Sequence, residues 1–404
     1  MSTQQAYLGV YLVVLALLFL SPACSSFMLK MSTRGLSHLA ASTKGAVRIT
    51  TYNILSSHLA SPDYFRNCEP QYLDQAYRLR KVKEKLDLET ENKAVICLQE
   101  VSTLWAGALH VYFASKGYSF TTALYGKKFN GYMGVGMAVP MDTYDIEDCD
   151  ILCVGDTKKV ARTPRPTGVN ALLNKGANIL RKLNIMKRLE DSPWQLAARR
   201  ANQMICMKLK PKGRAASDGD ESFAVGTYHM PCMFRTPQVM MIHCALSAQH
   251  IHKFAAGSPY VYCGDFNIKP DSVMYEVMTT GGMKNPNCIE NPALIQAADD
   301  KWESVPPVPL KSAYHSALGR EPDFTNYAQS LNDPPFIDTL DYIFLGEPEG
   351  AKRKWAVENV LSIAHRDMVK GPLPAESEPS DHVMLSANLA LVKDSSAESA
   401  GSSQ

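Results

Sequence analysis

The sequence predicts an α/β protein in which mixed sheets pack together beneath outer helices. Short apolar runs rich in β-branched residues alternate irregularly with segments of helical periodicity, a pattern typical of layered α/β folds. The chain has 404 residues, of which 46% are hydrophobic and 20% charged, so it can bury a large core. This composition excludes a wholly disordered, fibrous or polytopic membrane protein, and the length fits one large domain with tails as well as two domains.

The apolar runs predict the strands. The run AVRITTYNIL at 46–55 is rich in β-branched residues, and the shorter run at 94–98 is typical of a buried strand. Further strands are predicted at 118–125, 134–139, 151–154, 203–209, 223–228, 261–263, 341–345 and 383–391. An amphipathic helix is predicted over 72–88, where apolar residues recur at helical spacing between charges, and a second helix over 102–115.

Charge and cysteine content limit the classes of partner. The net charge is +2, and much of the basic excess lies before residue 46, where no acidic residue occurs, so the body is close to neutral. Of the ten cysteines, Cys97, Cys206 and Cys263 sit in apolar strand-like runs, where a free thiol behaves as a small hydrophobe. We therefore expect neither a disulfide framework nor a disulfide-linked partner, and a lone Cys149-x3-Cys153 pair is weak evidence for zinc.

The first 45 residues have the composition of targeting sequences. Thirteen apolar or small residues at 8–20, followed by small residues, predict a signal-peptide-like segment at 1–26. Residues 27–45 are rich in Ser and Thr, basic and free of acids, which predicts a transit-peptide-like linker. The two together resemble plastid presequences of algae with secondary plastids, so we expect entry into the secretory route and then either a plastid or plain secretion. Two alternatives are an uncleaved membrane anchor and a chain that starts at Met28 or Met31.

The body is predicted as one domain at 46–394 that carries an unusual insertion. Residues 157–189 contain nine Lys or Arg and no acid, and their second half mixes apolar and basic residues at roughly helical spacing. A solvated surface helix is the plainer interpretation, and a phosphate- or membrane-facing patch is the alternative. Residues 395–404 are of low complexity and are predicted to be disordered.

Polar residues recur where the apolar strands begin or end. One such residue is usually a turn or cap, but strand ends in layered α/β folds commonly share one ligand-binding rim. The residues at these positions are Asn53, Glu100, His229, Asp265, Asn267, Asp341, Asp381 and His382.

These residue types suit phosphodiester hydrolysis. Glu100 and the amide oxygen of Asn53 are ligands suited to Mg²⁺ or Mn²⁺. Asp265 can orient or deprotonate a water, and His382 or His229 can stabilise charge on a phosphoryl oxygen. A metal, an aligned nucleophile and help for the leaving oxygen are the parts that this reaction needs.

Six motifs that contain these residues carry a family resemblance. In chain order they are TYNIL, LQEVS, TYHMP, GDFNIKP, LDYIFL and PSDHVML, between Val47 and Leu391. The ordered set resembles the endonuclease/exonuclease/phosphatase superfamily, which has the DNase I-like fold. The segment from Phe324 to Gly346 is most similar to the branch that contains carbon-catabolite-repressor deadenylases, nocturnin, angel proteins and 2′,5′-phosphodiesterases. The resemblance implies a four-layered α/β/β/α sandwich, with two mixed, mainly antiparallel sheets and outer helices.

The resemblance also implies a role for each matching residue. Asn53 and Glu100 match residues on the metal side, and His229 matches a histidine that contacts the phosphate. Asp265 and Asn267 match the pair that positions the nucleophilic water and the scissile phosphate.

The remaining matches come from the later part of the chain. Asp341 and His382 match catalytic residues, and we assign Asp381 to the metal, although family members differ on which acid holds a second metal and which orients the histidine. Phe336 matches an aromatic that stacks on a base in the deadenylase branch, but an aromatic in a loop is more often part of the packing.

One motif departs from the family pattern, and one pair of basic residues has two interpretations. The family's Asn-Thr-His is Thr227-Tyr228-His229 here, so the histidine is kept and the asparagine is lost, which puts the substrate in doubt. Arg199 and Arg200 can contact phosphate, but paired basic residues on an exposed turn are the plainer interpretation.

Three functional hypotheses follow. The first is a Mg²⁺-dependent (or Mn²⁺-dependent) phosphodiesterase that acts on RNA or a nucleotide, as a 3′ exoribonuclease of deadenylase type. The second keeps the same metal site but acts on a phospholipid or a small phosphorylated molecule, with 157–189 as a membrane-docking element. The third is a catalytically inactive nucleic-acid-binding module.

Overall fold

Two six-stranded sheets form the centre of the structure. The computed structural model describes residues 46–158, 191–213, 221–282 and 306–393. Within these ranges the strands are β1 (Val47–Asn53), β2 (Val95–Val101), β3 (Tyr118–Leu124), β4 (Gly134–Pro140), β5 (Tyr144–Cys153), β6 (Gln203–Pro211), β7 (Phe223–His229), β8 (Tyr260–Asp265), β9 (Lys311–Ser312), β10 (Asn326–Ala328), β11 (Phe336–Asp338), β12 (Asp341–Gly346), β13 (Arg353–Val360) and β14 (Leu385–Lys393). The α-helices in the same ranges are α1 (Pro70–Leu73), α2 (Gln75–Glu91), α3 (Thr103–Ser115), α4 (Pro193–Ala198), α5 (Pro237–Ala255), α6 (Val273–Thr280) and α7 (Ala313–Leu318).

Strand direction differs within each sheet. The first sheet has the order β13-β14-β1-β2-β4-β3, and the second has the order β5-β6-β7-β8-β12-β9. β1 runs parallel to β2, and β7 runs parallel to β8, whereas the other paired strands are antiparallel. β10 and β11 form a separate two-stranded ribbon. The prediction of mixed, mainly antiparallel sheets is confirmed.

Three apolar clusters separate four layers. Side chains such as Ile49 and Val95 of the first sheet meet Val225 and Cys263 of the second sheet in the cluster between the sheets. A second cluster packs α2 and α3 against the other face of the first sheet, and a third packs α4, α5 and α6 against the other face of the second sheet. Because the central strands are buried on both faces, they are apolar runs rather than alternating patterns. The order helix, sheet, sheet, helix confirms the predicted four-layered sandwich.

Some elements differ from those predicted from the sequence. The helix predicted over 72–88 is two helices, because the carboxylate of Asp74 accepts a hydrogen bond from Tyr77 N at 2.8 Å and starts α2 there. The strand predicted at 151–154 is the end of the ten-residue β5, whose earlier, largely exposed residues give no apolar run.

Helix α5 was not predicted. Its residues from Val239 to Ala248 are all buried, so the first half of the helix has no polar face. A helix without a polar face gives no amphipathic periodicity, so its sequence lacks the pattern that identified α2. Strands β9, β10, β11 and β13 and helices α4, α6 and α7 were missed as well.

Several predictions fall on residues that the structure does not describe. They are the segments 1–26 and 27–45, most of the insertion 157–189 and the tail 395–404, so the targeting, insertion and domain limits stay predictions. No helix within the described ranges is both long and apolar enough to cross a membrane. The cysteines in these ranges are free thiols.

A buried ion pair joins α2 to the first sheet. Arg48 Nε and Nη2 each donate to a carboxylate oxygen of Glu89 at 2.7 Å, and Arg48 Nη1 donates to Asn388 Oδ1 at 3.0 Å. Thr50 Oγ1 also donates to Glu89 at 2.6 Å. Both charged side chains are buried, so each depends on the other for its hydrogen bonds.

We predict that Glu89→Gln lowers the free energy of unfolding by about 3 kcal/mol, because it leaves the Arg48 guanidinium buried without its counter-charge. Urea unfolding followed by circular dichroism measures the change. The matched control is Glu84→Gln on the same helix, where an exposed pair with Arg80 is worth less than about 1 kcal/mol. Equal losses in the two variants would contradict this account.

Candidate active site

The strand topology brings the predicted polar residues to one edge of the sandwich. Because β1 and β2 are parallel, Asn53 lies beside Gln99 and so next to Glu100. Because β7 and β8 are parallel, His229 lies opposite Asp265. Strand β12 is antiparallel to β8 and begins where β8 ends, so Asp341 also pairs with Asp265.

The loop before β14 completes the set. Thr51 of β1 pairs with Leu385 of β14, so residues just before β14 lie beside the end of β1. Asp381 and His382 occupy this loop, and His382 forms a bridge with Asn326 of β10. All eight polar residues predicted from the strand ends therefore converge in one place.

Unusual backbone conformations aim two of these side chains. Glu100 has φ 61°, at a bulge where the register of β2 against β4 shifts, and Asn267 has φ 52°. Non-glycine residues with positive φ are uncommon and are found at functional sites. Gly264 before Asp265 has φ 148°, and a Cβ there would lie 1.9 Å from Tyr228 O, so only glycine fits.

His382 and Asp341 form a buried hydrogen-bonded pair. His382 Nδ1 lies 2.7 Å from Asp341 Oδ2, and the backbone N–H of Asp341 donates to Thr325 Oγ1 at 3.0 Å. The other imidazole nitrogen, Nε2, lies 3.7 Å from Asp265 Oδ2. Burial lowers the pKa of His382, but the carboxylates of Asp341 and Asp265 outweigh it and raise that pKa well above its ordinary value. His382 is therefore oriented as a proton or hydrogen-bond donor that faces Asp265.

Asp265 is held by hydrogen-bond donors on several sides. Its Oδ2 accepts from Asn53 Nδ2 at 2.9 Å and lies 3.5 Å from His229 Nε2. Its Oδ1 accepts from the backbone N–H of Asn267 at 2.9 Å. These donors fix the direction of the carboxylate, as a group that positions a water requires.

Glu100 and Asp381 form the acidic side of the site. Glu100 Oε2 accepts from Ser56 N at 2.8 Å, and its Oε1 lies 3.3 Å from Asn53 Nδ2. Burial raises the pKa of Asp381 to about 6, and the neighbouring charge of Glu100 adds to this effect. The Asn53 oxygen accepts from Leu55 N at 3.0 Å, so its predicted role as a metal ligand stays a prediction.

The donor set fits a hard divalent cation. Carboxylates of Glu100, Asp265, Asp341 and Asp381 share one largely buried region, and Asp341 Oδ1 has no hydrogen-bond partner among the described residues. Such a concentration of negative charge is costly unless a cation offsets it, and oxygen ligands are those that Mg²⁺ and Mn²⁺ prefer.

Metal binding and proton transfer could use different residues of this set. Asp265, Asp341 and His382 each place a donor atom within 4.8 Å of the others, so they too form a possible metal-binding group. However, the Asp341–His382 hydrogen bond uses one of these atoms from each partner. Glu100 and Asp381 are therefore residues that could hold a metal, and the hydrogen-bonded pair could serve the reacting groups.

Arg78 is a site residue that sequence analysis missed. It is fully buried on α2, where its Nε donates to Pro379 O at 2.6 Å and its Nη2 to Ile54 O at 2.7 Å. These acceptors belong to the two loops that follow Asn53 and precede Asp381. Its charge also lowers the pKa of Asp381, against the effect of burial. Arg78 thus ties the two loops together from behind the site.

The site opens into a cavity of about 940 Å³. Three residues predicted to bind substrate, Phe336, Arg199 and Arg200, line it. Phe336 is half-buried, with Lys269 Nζ 5.1 Å from its ring centroid. Arg199 donates to Asp191 Oδ1 at 2.9 Å, whereas the buried Nε of Arg200 has no hydrogen-bond partner among the described residues.

The family's Asn-Thr-His is Thr-Tyr-His here, and the residues that hold His229 in place lie outside its own strand. Thr227 points into the core, where its Oγ1 accepts from Gln99 Nε2 at 3.1 Å. Asn202, which sequence analysis missed, donates to the backbone oxygen of His229 at 2.8 Å and also lines the cavity. A polar residue at the start of β6 thus supports this histidine from outside its own strand.

The fold and the site together are typical of a family whose members hydrolyse phosphoester bonds. The sequence matches the Endonuclease/Exonuclease/phosphatase family over residues 50–382. The chain belongs to this family, which confirms the resemblance seen in its motifs.

Several curated proteins are similar in sequence. 2′,5′-Phosphodiesterase 12 of Homo sapiens is 24% identical over 367 residues, which cover 85% of this chain and 51% of that protein. The CCR4-Not complex 3′-5′-exoribonuclease subunit Ccr4 of Saccharomyces cerevisiae is 24% identical over 381 residues, or 88% of this chain and 40% of that protein. Carbon catabolite repressor protein 4 homolog 4 of Arabidopsis thaliana is 31% identical over 141 residues, or 34% of this chain and 28% of that protein. The chain thus spans about half or less of these relatives' lengths.

Solved structures share the fold. ANGEL2, a 2′,3′-cyclic phosphatase, in complex with adenosine-2′,3′-vanadate superposes with a TM-score of 0.60 and 20% identity, over 86% of this chain and 96% of that chain. The human Nocturnin catalytic domain with bound sulfate superposes with a TM-score of 0.50 and 16% identity, over 87% of this chain and 96% of that chain. At these identities the likeness supports the fold alone.

We predict that Asp341→Asn lowers the pKa of His382, because it removes a carboxylate that raises that pKa and is hydrogen-bonded to Nδ1. The imidazole should therefore lose its proton at a lower pH than in the wild-type protein. An NMR titration of the histidine ring nitrogens in metal-free protein measures the shift. A pKa that is unchanged or raised would contradict the pairing, and Asp145→Asn on an exposed strand is the control.

We predict that Arg78→Lys weakens Mg²⁺ binding by roughly tenfold, because the shorter hydrogen-bonding reach of lysine loosens the loops that carry the metal-side residues. Isothermal titration calorimetry with MgCl₂ measures the dissociation constant. The control is Arg80→Lys on the same helix, where the side chain is exposed. A folded Arg78→Lys variant with wild-type affinity would argue against this role.

Proposed function

We propose that the protein is a Mg²⁺- or Mn²⁺-dependent phosphodiesterase that removes nucleotides from the 3′ end of RNA, in the manner of a deadenylase. One observation carries this proposal: the Asp341–His382 pair lies beside Asp265, with His382 Nε2 3.7 Å from Asp265 Oδ2, at the acidic floor of an open cavity. The arrangement offers a proton acceptor, a proton or hydrogen-bond donor and a cation site side by side, which are the parts that phosphodiester cleavage requires.

The side chains have distinct roles in this proposal. Asp265, held by Asn53 and the backbone of Asn267, orients the attacking water and accepts its proton as the water oxygen bonds to phosphorus. The bond from phosphorus to the 3′ oxygen of the preceding nucleotide breaks, and that oxygen takes up a proton from water as it leaves. His382, kept in place by Asp341, donates a hydrogen bond to the phosphoryl group and stabilises its negative charge. His229 faces the same region and is assigned a phosphate contact.

The metal site completes this arrangement. Glu100 and Asp381 would hold the cation, with Asn53 as a further ligand. When bound, a divalent cation offsets charge on the phosphate and helps to align the displacement.

Similar proteins support RNA as the substrate. The name of Ccr4 describes a 3′-5′-exoribonuclease, and that of 2′,5′-phosphodiesterase 12 describes cleavage of another phosphodiester linkage. The half-buried ring of Phe336 in the cavity can stack on a base, and Arg200 can contact phosphate. These features favour RNA over a phospholipid, for which the membrane role of 157–189 stays a prediction.

We predict that the protein shortens a 3′-terminal oligo(A) only in the presence of Mg²⁺ or Mn²⁺, and that EDTA abolishes this activity. Asp265→Asn and His382→Ala should each lower kcat by at least about 100-fold, because they remove the group that accepts the proton and the group that stabilises the phosphoryl charge. Gel-resolved turnover measures both effects. The control is His110→Ala on the exposed face of α3, which should act like the wild-type protein.

Two results would contradict the proposal. Shortening that survives both Asp265→Asn and His382→Ala would exclude the mechanism. A parallel screen tests sphingomyelin, inositol phosphates and 2′,3′-cyclic phosphates. Metal-dependent turnover of one of these without turnover of RNA would contradict RNA as the substrate, although the same residues would still form the active site.

A further inference from the structure

Exposed aromatic side chains are concentrated at the mouth of the active-site cavity. Among the described residues, the exposed Phe, Tyr and Trp side chains are Tyr64 (48% exposed), Phe129 (71%), Tyr132 (51%) and Phe234 (52%). All of these except Tyr132 line the cavity. We call Tyr64, Phe129 and Phe234 the aromatic rim. Exposed apolar groups gathered in one place usually mark a binding surface.

The rim residues come from separate segments, and hydrogen-bonded turns hold each of them. Phe129 lies in a turn closed by Lys127 N donating to Asn130 Oδ1 at 2.7 Å, and Ser56 Oγ anchors this turn through Asn130 O at 2.8 Å. Tyr64 O accepts from Leu331 N at 2.7 Å. Phe234 lies in a turn in which Thr236 N donates to Met233 O at 2.8 Å. The backbone that carries each ring is thus held in place, which reduces the entropy lost on binding.

The charge around the rim selects the kind of ligand. Lys127 and Arg200 line the same cavity as its acidic residues, and so does Arg199, whose charge is paired with Asp191. Basic side chains interleaved with exposed rings suit a single strand of nucleic acid, whose phosphates meet the cations while its bases stack on the rings. A duplex does not fit this description, because its paired bases present no free faces to the rings.

We propose that the aromatic rim is a stacking platform for the bases of single-stranded RNA on the 5′ side of the cleaved bond. This inference rests on the proposed function, because the cleaved 3′ end must lie on the acidic floor for the rest of the strand to leave over the rim. The rim thereby sets a preference for single-stranded substrates longer than a dinucleotide.

Binding in an inactive protein tests the rim without turnover. In the full-length Asp265→Asn protein with Mg²⁺, fluorescence anisotropy with a labelled 20-nucleotide oligo(A) should show Phe129→Ala and Phe234→Ala each weakening affinity by roughly tenfold. Tyr132→Ala is the matched control, since its ring is similarly exposed but does not line the cavity, and it should bind like the parent protein. Phe129→Leu, which keeps an apolar side chain without a ring, should also lose affinity.

Several results would overturn the inference. Affinity unchanged in Phe129→Ala and Phe234→Ala, or fully kept in Phe129→Leu, would exclude stacking on these rings. Liposome flotation that depends on the rim, with RNA affinity unchanged, would assign the surface to a membrane instead.

Turnover separates this inference from the proposed function. With the active protein, the ratio of kcat/KM for the 20-nucleotide substrate to that for a dinucleotide should fall in the rim variants and stay unchanged in Tyr132→Ala. Rim-dependent RNA binding by a protein that hydrolyses no RNA would support the rim and refute the exoribonuclease proposal. RNA hydrolysis in which the rim variants keep the wild-type ratio of kcat/KM values would support the exoribonuclease proposal and refute the rim.

Discussion

Repulsion among carboxylates in one pocket is the constraint on which the site depends. Glu100, Asp265, Asp341 and Asp381 meet where burial makes like charges costly, as the raised pKa of Asp381 indicates. The chain offsets part of this charge with the buried guanidinium of Arg78, the imidazole of His382 and the amide hydrogens of Asn53. In the proposed function a divalent cation offsets the rest, and its charge is also what a phosphodiester substrate needs.

The sandwich makes this concentration of charge possible. Each sheet contains one parallel pair, β1 with β2 and β7 with β8, whose carboxyl ends point to the same edge of the molecule. The antiparallel strands β12 and β14 begin at that edge and add Asp341 and His382. Buried hydrogen bonds such as those of Arg48 with Glu89 fix the outer helix on the first sheet. The layers thus hold the charged groups together, and loops supply many of the residues that line the cavity.

The sequence predicted the strand ends better than the surroundings of the site. Polar residues such as Asn53 and Asp265 stand out because they interrupt apolar runs, and their convergence follows from strand order. Arg78 gave no such signal, since an arginine in an amphipathic helix looks like a surface residue until the fold buries it. Helix α5 was missed because it lacks a polar face, and Asn202 and the aromatic rim were missed because loops from distant parts of the chain bring them to the cavity.

Direct location of a bound cation tests the central claim most sharply. A crystal of the protein soaked in Mn²⁺ would be measured at a wavelength that excites the anomalous signal of manganese. The account predicts a strong peak between the carboxylates of Glu100 and Asp381, in the same cavity as Asp265 and His382. A fully soaked crystal without a peak there, or with manganese bound only elsewhere on the molecule, would contradict it.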